Sequence, residues 1–327
     1  MANWNPNSLV VQIDWVNEGS STERVIGRRE VKLRSKAAIG LAKRTPRGGW
    51  PVIRFAATRD PALWDLELRL QFVDDARLRA DLRENVYLQF LRHGCWPHQI
   101  GEDRLILRLL SPGDVVYDVG ANVGYTSLLF AHAAGPAGKV FAFEPSPRAY
   151  RLLKRQSEHC PRITPFQLGL SDRTGTLAFN ETDSLTGSSL HLTNGLPVIE
   201  VAVDTLDAIV TRTQEQPTFV KIDAEGHEAS IIRGMSEVLG GKAPPTIMFE
   251  ACDRSELLAS TTALEEVVNE RVSIYGMNPD GALVGTTDHR ATNNFLAVPE
   301  TQTHRLSGFQ LPDDGLVIGG SGEPTGL

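Results

Sequence analysis

The 327-residue chain is sparing with cysteine, with long apolar runs and with net positive charge. Its three cysteines, Cys95, Cys160 and Cys252, have no short paired spacing, which argues against a disulfide framework or a cysteine-rich zinc site and for buried thiols in a reducing, cytoplasmic setting. No stretch approaches the roughly 18 apolar residues of a membrane span, and the first twenty residues lack the basic start and apolar run of a secretory leader. The expectation is a protein neither integral to a membrane nor exported by that route, although association through a surface patch stays open. With 40 Asp and Glu against 33 Lys and Arg, the net charge of -7 offers no overall attraction to nucleic acid. A GxxxxGK[ST] loop, a regular GxGxxG and an internal repeat are also missing.

What is present is a hydrophobic share of 41%, enough for one large or two moderate domains, and one stretch that organises the rest. In VVYDVGANVGYTSLLF, residues 115–130, a short apolar run predicts a strand buried in a parallel sheet. Asp118, Gly120, Asn122 and Gly124 interrupt it, and helical spacing resumes at Leu128 and Leu129. Glycines there permit close backbone approach, and the next helix opens with unpaired amides. A second buried strand at 139–143 ends in Glu144, where a carboxylate can accept hydrogen bonds from both hydroxyls of a ribose. Asp118 would repel a pyrophosphate and attract a sulfonium, so these charges suit S-adenosyl-L-methionine better than NAD or ATP.

Residues 1–90 read as a small α+β extension, a cap or an acceptor-side domain. Short strands are expected within 1–20, a turn at 45–50, a strand at 51–55 and a helix over 74–90. The basic run at 23–44, which includes Arg28, Arg29, Lys36 and Arg44, reads first as a solvated face and second as a contact to an anionic substrate or partner. Residues 91–300 form the main domain, with helices at 102–110, 147–159 and 259–269. Strands are expected at 163–167, 176–180, 198–203, 219–222 and 246–249, with an antiparallel pair at 271–275 and 294–298. The loop at 169–172 falls on the ligand edge with Ser171 and Asp172, and the Ser/Thr/Gly-rich stretch 181–194 is either a substrate loop or a mobile surface loop. Asp204 and Asp207 read as helix caps. Residues 301–327 are expected to be a flexible tail.

After the strand at 219–222 comes DAEGHE, three carboxylates and an imidazole on the ligand edge. Asp223, Glu225, His227 and Glu228 are the candidate proton acceptors, with His227 closest to neutrality by its reference pKa. The competing reading is structural: a cap, a helix salt bridge, a solvent-facing ring. These groups have no distinctive metal spacing, and no metal is assigned.

Taken in order, VVYDVGANVGYTS, FAFEPSP at 141–147, VDTLD at 203–207, FVKIDAEGHEASIIRGM at 219–235 and NNFLAVP at 293–299 resemble the FkbM family of S-adenosylmethionine-dependent methyltransferases. The resemblance covers about residues 98–300. It implies a class I methyltransferase-like α/β fold, a doubly wound mostly parallel sheet with an antiparallel terminal strand. It also implies O-methylation of a sugar, glycan or secondary metabolite. By the same resemblance Asp118, Gly120, Asn122 and Gly124 border the methionine part of the cofactor and Glu144 its ribose. Ser171 and Asp172 lie near adenine, and Glu102, an acidic position upstream of the first strand, lies near the methyl donor. The acceptor is expected to be a small-molecule, saccharide or carrier-linked hydroxyl, with no nucleic acid; the oligomeric state is left open. An NAD-binding oxidoreductase and a noncatalytic S-adenosylmethionine-binding module are the alternatives.

Overall fold

From residue 98 onward, mostly apolar strands alternate with helices, the pattern of a parallel sheet covered on both faces. The computed structural model describes residues 33–44, 49–64, 66–70, 77–181, 197–288 and 291–319. The chain divides into two compact units, residues 1–97 and 98–327. Among the described residues no helix is long and apolar enough to cross a membrane.

The first unit contains α1 (Leu33–Arg44), α2 (Gly49–Ala57), a 3-10 turn, the antiparallel pair β1 (Leu66–Arg69) and β2 (Arg77–Ala80), and α3 (Tyr87–His93). Several expectations are corrected here. Residues 51–55 are helical, because Gly49, Ile53 and Ala57 bury one face at a spacing of four, and Pro51 is tolerated in a first turn. Gly49 and Trp50 of the expected turn belong to the same helix. Of the helix expected over 74–90, residues 87–90 begin α3, but 77–80 form β2, where Leu78 and Ala80 are buried and alternate with the less buried Arg77 and Arg79. Glu67 pairs with Arg79 directly across the ladder at 3.2 Å. The boundary expected at residue 90 falls inside α3, and the units divide after Pro97. The strands expected within 1–20 and most of the loop at 181–194 lie outside the described residues.

The second unit begins with α4 (Ile100–Leu109), β3 (Val115–Val119), α5 (Tyr125–Ala133), β4 (Lys139–Phe143), α6 (Pro147–Ser157) and β5 (Ile163–Phe166). A small three-stranded sheet follows, made of β6 (Gly169–Leu170), β7 (Gly175–Asn180) and β8 (Val198–Asp204) in the order β6-β8-β7. Then come α7 (Leu206–Thr213), β9 (Phe219–Ile222), α8 (Glu228–Arg233), α9 (Ser236–Leu239), β10 (Thr246–Glu250), α10 (Arg254–Val267), β11 (Val272–Met277), β12 (Leu283–Val284), β13 (Asn294–Pro299) and β14 (Leu316–Ile318). The main sheet has the order β5-β4-β3-β9-β10-β13-β11, parallel from β5 to β10 and antiparallel beyond, with β12 and β14 both paired to β11. This is the expected class I methyltransferase-like arrangement. Chain order reverses between β3 and β9, and that switch point opens a crevice at the carboxyl ends of the strands.

Caps and ion pairs set the helix ends. Ser146 and Thr205 cap α6 and α7 through their hydroxyls. Asp204 accepts from the Thr205 amide, whereas Asp207 reaches across to accept from the amides of Glu237 and Val238 in α9. The tail expectation is corrected for residues 301–319: residues 300–306 form a 3-10 helix, and β14 pairs with β11, while 320–327 lie outside the described residues. Arg305 is buried and donates to both oxygens of Asp114 at 2.8 and 2.6 Å. This ties the segment to the entry of β3.

Candidate functional site at the strand switch point

The turn after β3 is shaped by close contact with its neighbours. Gly120 and Ala121 donate their amides to Phe143 O at the end of β4, and Asp223 donates its amide to Val119 O. Gly120 has φ +80°, and a Cβ on it would lie 1.8 Å from Asp223 O, so the backbones after β3 and β9 touch there. Only glycine fits. Asn122 (φ 50°) and Glu225 (φ 52°) are non-glycine residues in the left-handed region, and both lie on this edge. Such conformations persist where surrounding structure enforces them, and they cluster at functional sites.

Glu144, at the end of β4, is buried and accepts the amide of Asn122 at 2.9 Å through one oxygen and that of Ser146 at 2.8 Å through the other. Each oxygen retains acceptor capacity. Burial pushes its pKa up to about 7 against those two bonds. Asp118 is fully buried; one oxygen accepts from the Ser127 hydroxyl, and Oδ1 has no hydrogen-bond partner. Burial raises Asp118 to about 6, countered by Lys221 and Ser127.

Lys221 is the residue that sequence reasoning passed over. It stands in register with Asp118 across the ladder, almost wholly buried, 2.7 Å from Asp223 and 3.6 Å from Glu102. Burial disfavours its charge, but Asp223, Glu102 and Asp118 outweigh that and raise its pKa. The available signal was a lysine inside a four-residue strand otherwise made of Phe, Val and Ile. Burial also raises Glu102, whose Oε2 is buried without a hydrogen-bond partner. Its neighbour Asp103 accepts from the Tyr125 hydroxyl and so joins α4 to α5.

The four candidate proton acceptors have different surroundings. For Asp223, the pull of Lys221 overcomes burial and holds the carboxyl below its usual range. Glu250, at the end of β10, is pushed up to about 8 by burial and by the charges of Asp223 and Glu225. Glu225 is exposed on the same edge. His227 turns the other way, with Nε2 2.9 Å from the Ser171 hydroxyl, and burial lowers its pKa. Glu228 is buried and accepts the Ala224 amide at 2.8 Å; burial raises it to about 7. Asp223, Glu225 and Glu250 therefore share one environment, while His227 joins the Ser171–Asp172 loop and Glu228 braces the turn. Gly124 caps α5 with φ +83°. Among the described residues no group of His, Cys, Asp and Glu has the arrangement of a metal site.

Strand order, the glycine turn and the acid at the end of the second parallel strand define a class I methyltransferase-like domain. Residues 118–271 match the family model described as the methyltransferase FkbM domain. The matched segment, just under half of the chain, is similar to that family of S-adenosylmethionine-dependent methyltransferases. One curated relative, the hexuronic acid methyltransferase AglP of Haloferax volcanii, is 30% identical over 138 residues, 42% of this chain and 56% of the relative. Another, the 31-O-demethyl-FK506 methyltransferase FkbM of Streptomyces tacrolimicus, is 42% identical over 81 residues, 24% of this chain and 31% of the relative. The matches thus span about half or less of these relatives' lengths. A crystal structure of a methyltransferase FkbM from Methylobacillus flagellatus KT aligns with 17% identity and a TM-score of 0.41, covering 81% of this chain and 59% of that one.

Proposed function

We propose that the protein is an O-methyltransferase that moves a methyl group from S-adenosyl-L-methionine to a hydroxyl of a sugar, glycan or secondary metabolite. The observation that carries the reading is the buried acid at the switch point, Asp118, whose Oδ1 lacks a hydrogen-bond partner. An unpaired buried carboxylate is costly, and a cationic ligand relieves that cost. The charges on this edge suit a cationic cofactor. Asp118, Gly120, Asn122 and Gly124 would border its methionine portion, Glu144 would accept from the ribose hydroxyls, and Ser171 and Asp172 would lie near adenine. Glu102 and Lys221 balance charge beneath them. The bound cofactor supplies a methyl already activated on a sulfonium.

The chain's own task is to align the acceptor oxygen and take its proton. The Asp223–Glu250 pair suits the second role. Lys221 keeps Asp223 ionised, while Glu250, with a pKa pushed up to about 8, holds its own proton at neutral pH, so Asp223 is the member of the pair open to the acceptor's proton. The acceptor O–H proton passes to this carboxylate pair as the oxygen gains its carbon bond. Glu225, exposed beside them, contacts the acceptor. The relatives' names, a hexuronic acid methyltransferase and a demethyl-FK506 methyltransferase, support hydroxyl-rich small molecules or glycans as the acceptor class.

Calorimetric titration with S-adenosyl-L-methionine and S-adenosylhomocysteine, with NAD as control, tests the donor. Saturable binding of the first two, weakened at least about tenfold by Glu144→Ala, is expected from the loss of charge-assisted hydrogen bonds. Binding of NAD alone would make the oxidoreductase the correct reading. Donor binding without labelled methyl transfer to any hydroxylated acceptor would favour the noncatalytic module.

A further inference from the structure

The first unit carries a surface that the methyltransferase reading does not use. Residues 33–59, which span α1 and α2, contain seven arginines and lysines and no aspartate or glutamate, in a chain of net charge -7. Three of the exposed large hydrophobics belong to the same two helices: Leu41 at 53% exposure, Val52 at 38% and Phe55 at 61%. In α2 the two faces separate cleanly. Gly49, Ile53 and Ala57 are buried, while Val52 and Phe55, three positions apart, are exposed with Arg54 between them. The Arg59 guanidinium stacks on the Phe55 ring, 3.6 Å from its centroid.

We propose that the exposed side of α2, with α1 next to it in the chain, docks on an anionic lipid surface. A helix lying in a membrane interface needs apolar side chains to enter the acyl boundary and cations to meet lipid phosphates, and residues 33–59 offer both. The stacked Arg59 suits that setting, because an arginine can lie along apolar surface with its charged end at headgroup level. A two-fold dimer through the same face would bring the exposed Arg54 and Arg59 against their own copies, with no acid in residues 33–59 to offset them, so like-charge repulsion opposes self-association. A nucleic-acid backbone would engage the cations and leave Leu41, Val52 and Phe55 in water. The basic character read from the sequence as a solvated face thus becomes, with the exposed apolar residues beside it, an attachment surface.

Flotation of the full chain with lipid vesicles tests this. Vesicles with phosphatidylglycerol as about a third of their lipid should capture the protein at least about tenfold better than phosphatidylcholine alone, and added salt should weaken capture. Phe55→Ser should reduce capture about tenfold and Arg54→Gln about fivefold. Both residues are exposed, so melting temperatures should stay at the wild-type value. Arg254→Gln, in the second unit, should leave capture unchanged. Three results would overturn the proposal: equal or absent capture by the two vesicle types, capture insensitive to Phe55→Ser, or Phe55-dependent self-association or RNA retention in its place.

Discussion

A carboxylate oxygen held in the interior without a hydrogen bond is destabilising unless something charged or polar comes to meet it. Asp118 Oδ1 is in that situation, while the Lys221 ammonium that shares its strand register is directed to Asp223 and Glu102. Asp118→Asn keeps the shape of the side chain while removing its charge. It should weaken S-adenosyl-L-methionine binding about tenfold to a hundredfold. S-adenosylhomocysteine, which has no sulfonium, should lose much less. Calorimetry with both ligands checks this, and equal losses would show that Asp118 acts through shape alone.

At the level of elements, a buried ion pair adds to the β14–β11 ladder in holding the segment after β13. Arg305 donates to both oxygens of Asp114, which also accepts from the Ser111 amide and the Thr218 hydroxyl. The pair therefore joins the 3-10 helix at 300–306 to the entry of β3 and the loop before β9. Removing one partner of such a pair leaves the other charge buried and costs about 3–5 kcal/mol. Arg305→Met should lower the melting temperature accordingly; an unchanged melt would mean that the Arg305–Asp114 pair contributes nothing to stability. Nothing local in residues 301–319 announces this role, because the partner acid lies 191 positions earlier in the chain.

For the molecule as a whole, several carboxyl groups are held above their ordinary range, mainly by burial: Asp118 at about 6, Glu144 and Glu228 at about 7, and Glu250 at about 8. An acid with a raised folded-state pKa contributes stability that is fully present below its unfolded value, near 4, and is lost as pH rises through the folded value. The ligand-free protein should therefore melt at a progressively lower temperature between about pH 5 and pH 8. A cationic ligand favours the ionised carboxylates, so its binding should release protons near about pH 6–7 and tighten as pH rises. Melting curves across that range, with and without S-adenosyl-L-methionine, read both effects; a ligand-free melt that rises with pH would contradict the first.

Neighbouring residues alone were enough to specify the parallel strands of the core, their terminal acids and the order in which they occur. Those strands are short apolar runs broken by glycine and carboxylate, a signal carried within a few positions. Residues 51–55 and 77–80 depart from expectation because four or five residues cannot separate a period of two from one of 3.6, and packing against distant neighbours settles them. Which acids share a site is a property of the folded chain. Folding brings Lys221 and Glu250 to Asp223, turns His227 toward Ser171 and sets Glu228 beneath Ala224. Sequence spacing specifies the strand end on which a side chain stands, but its partners and charge state depend on groups that arrive from other strands.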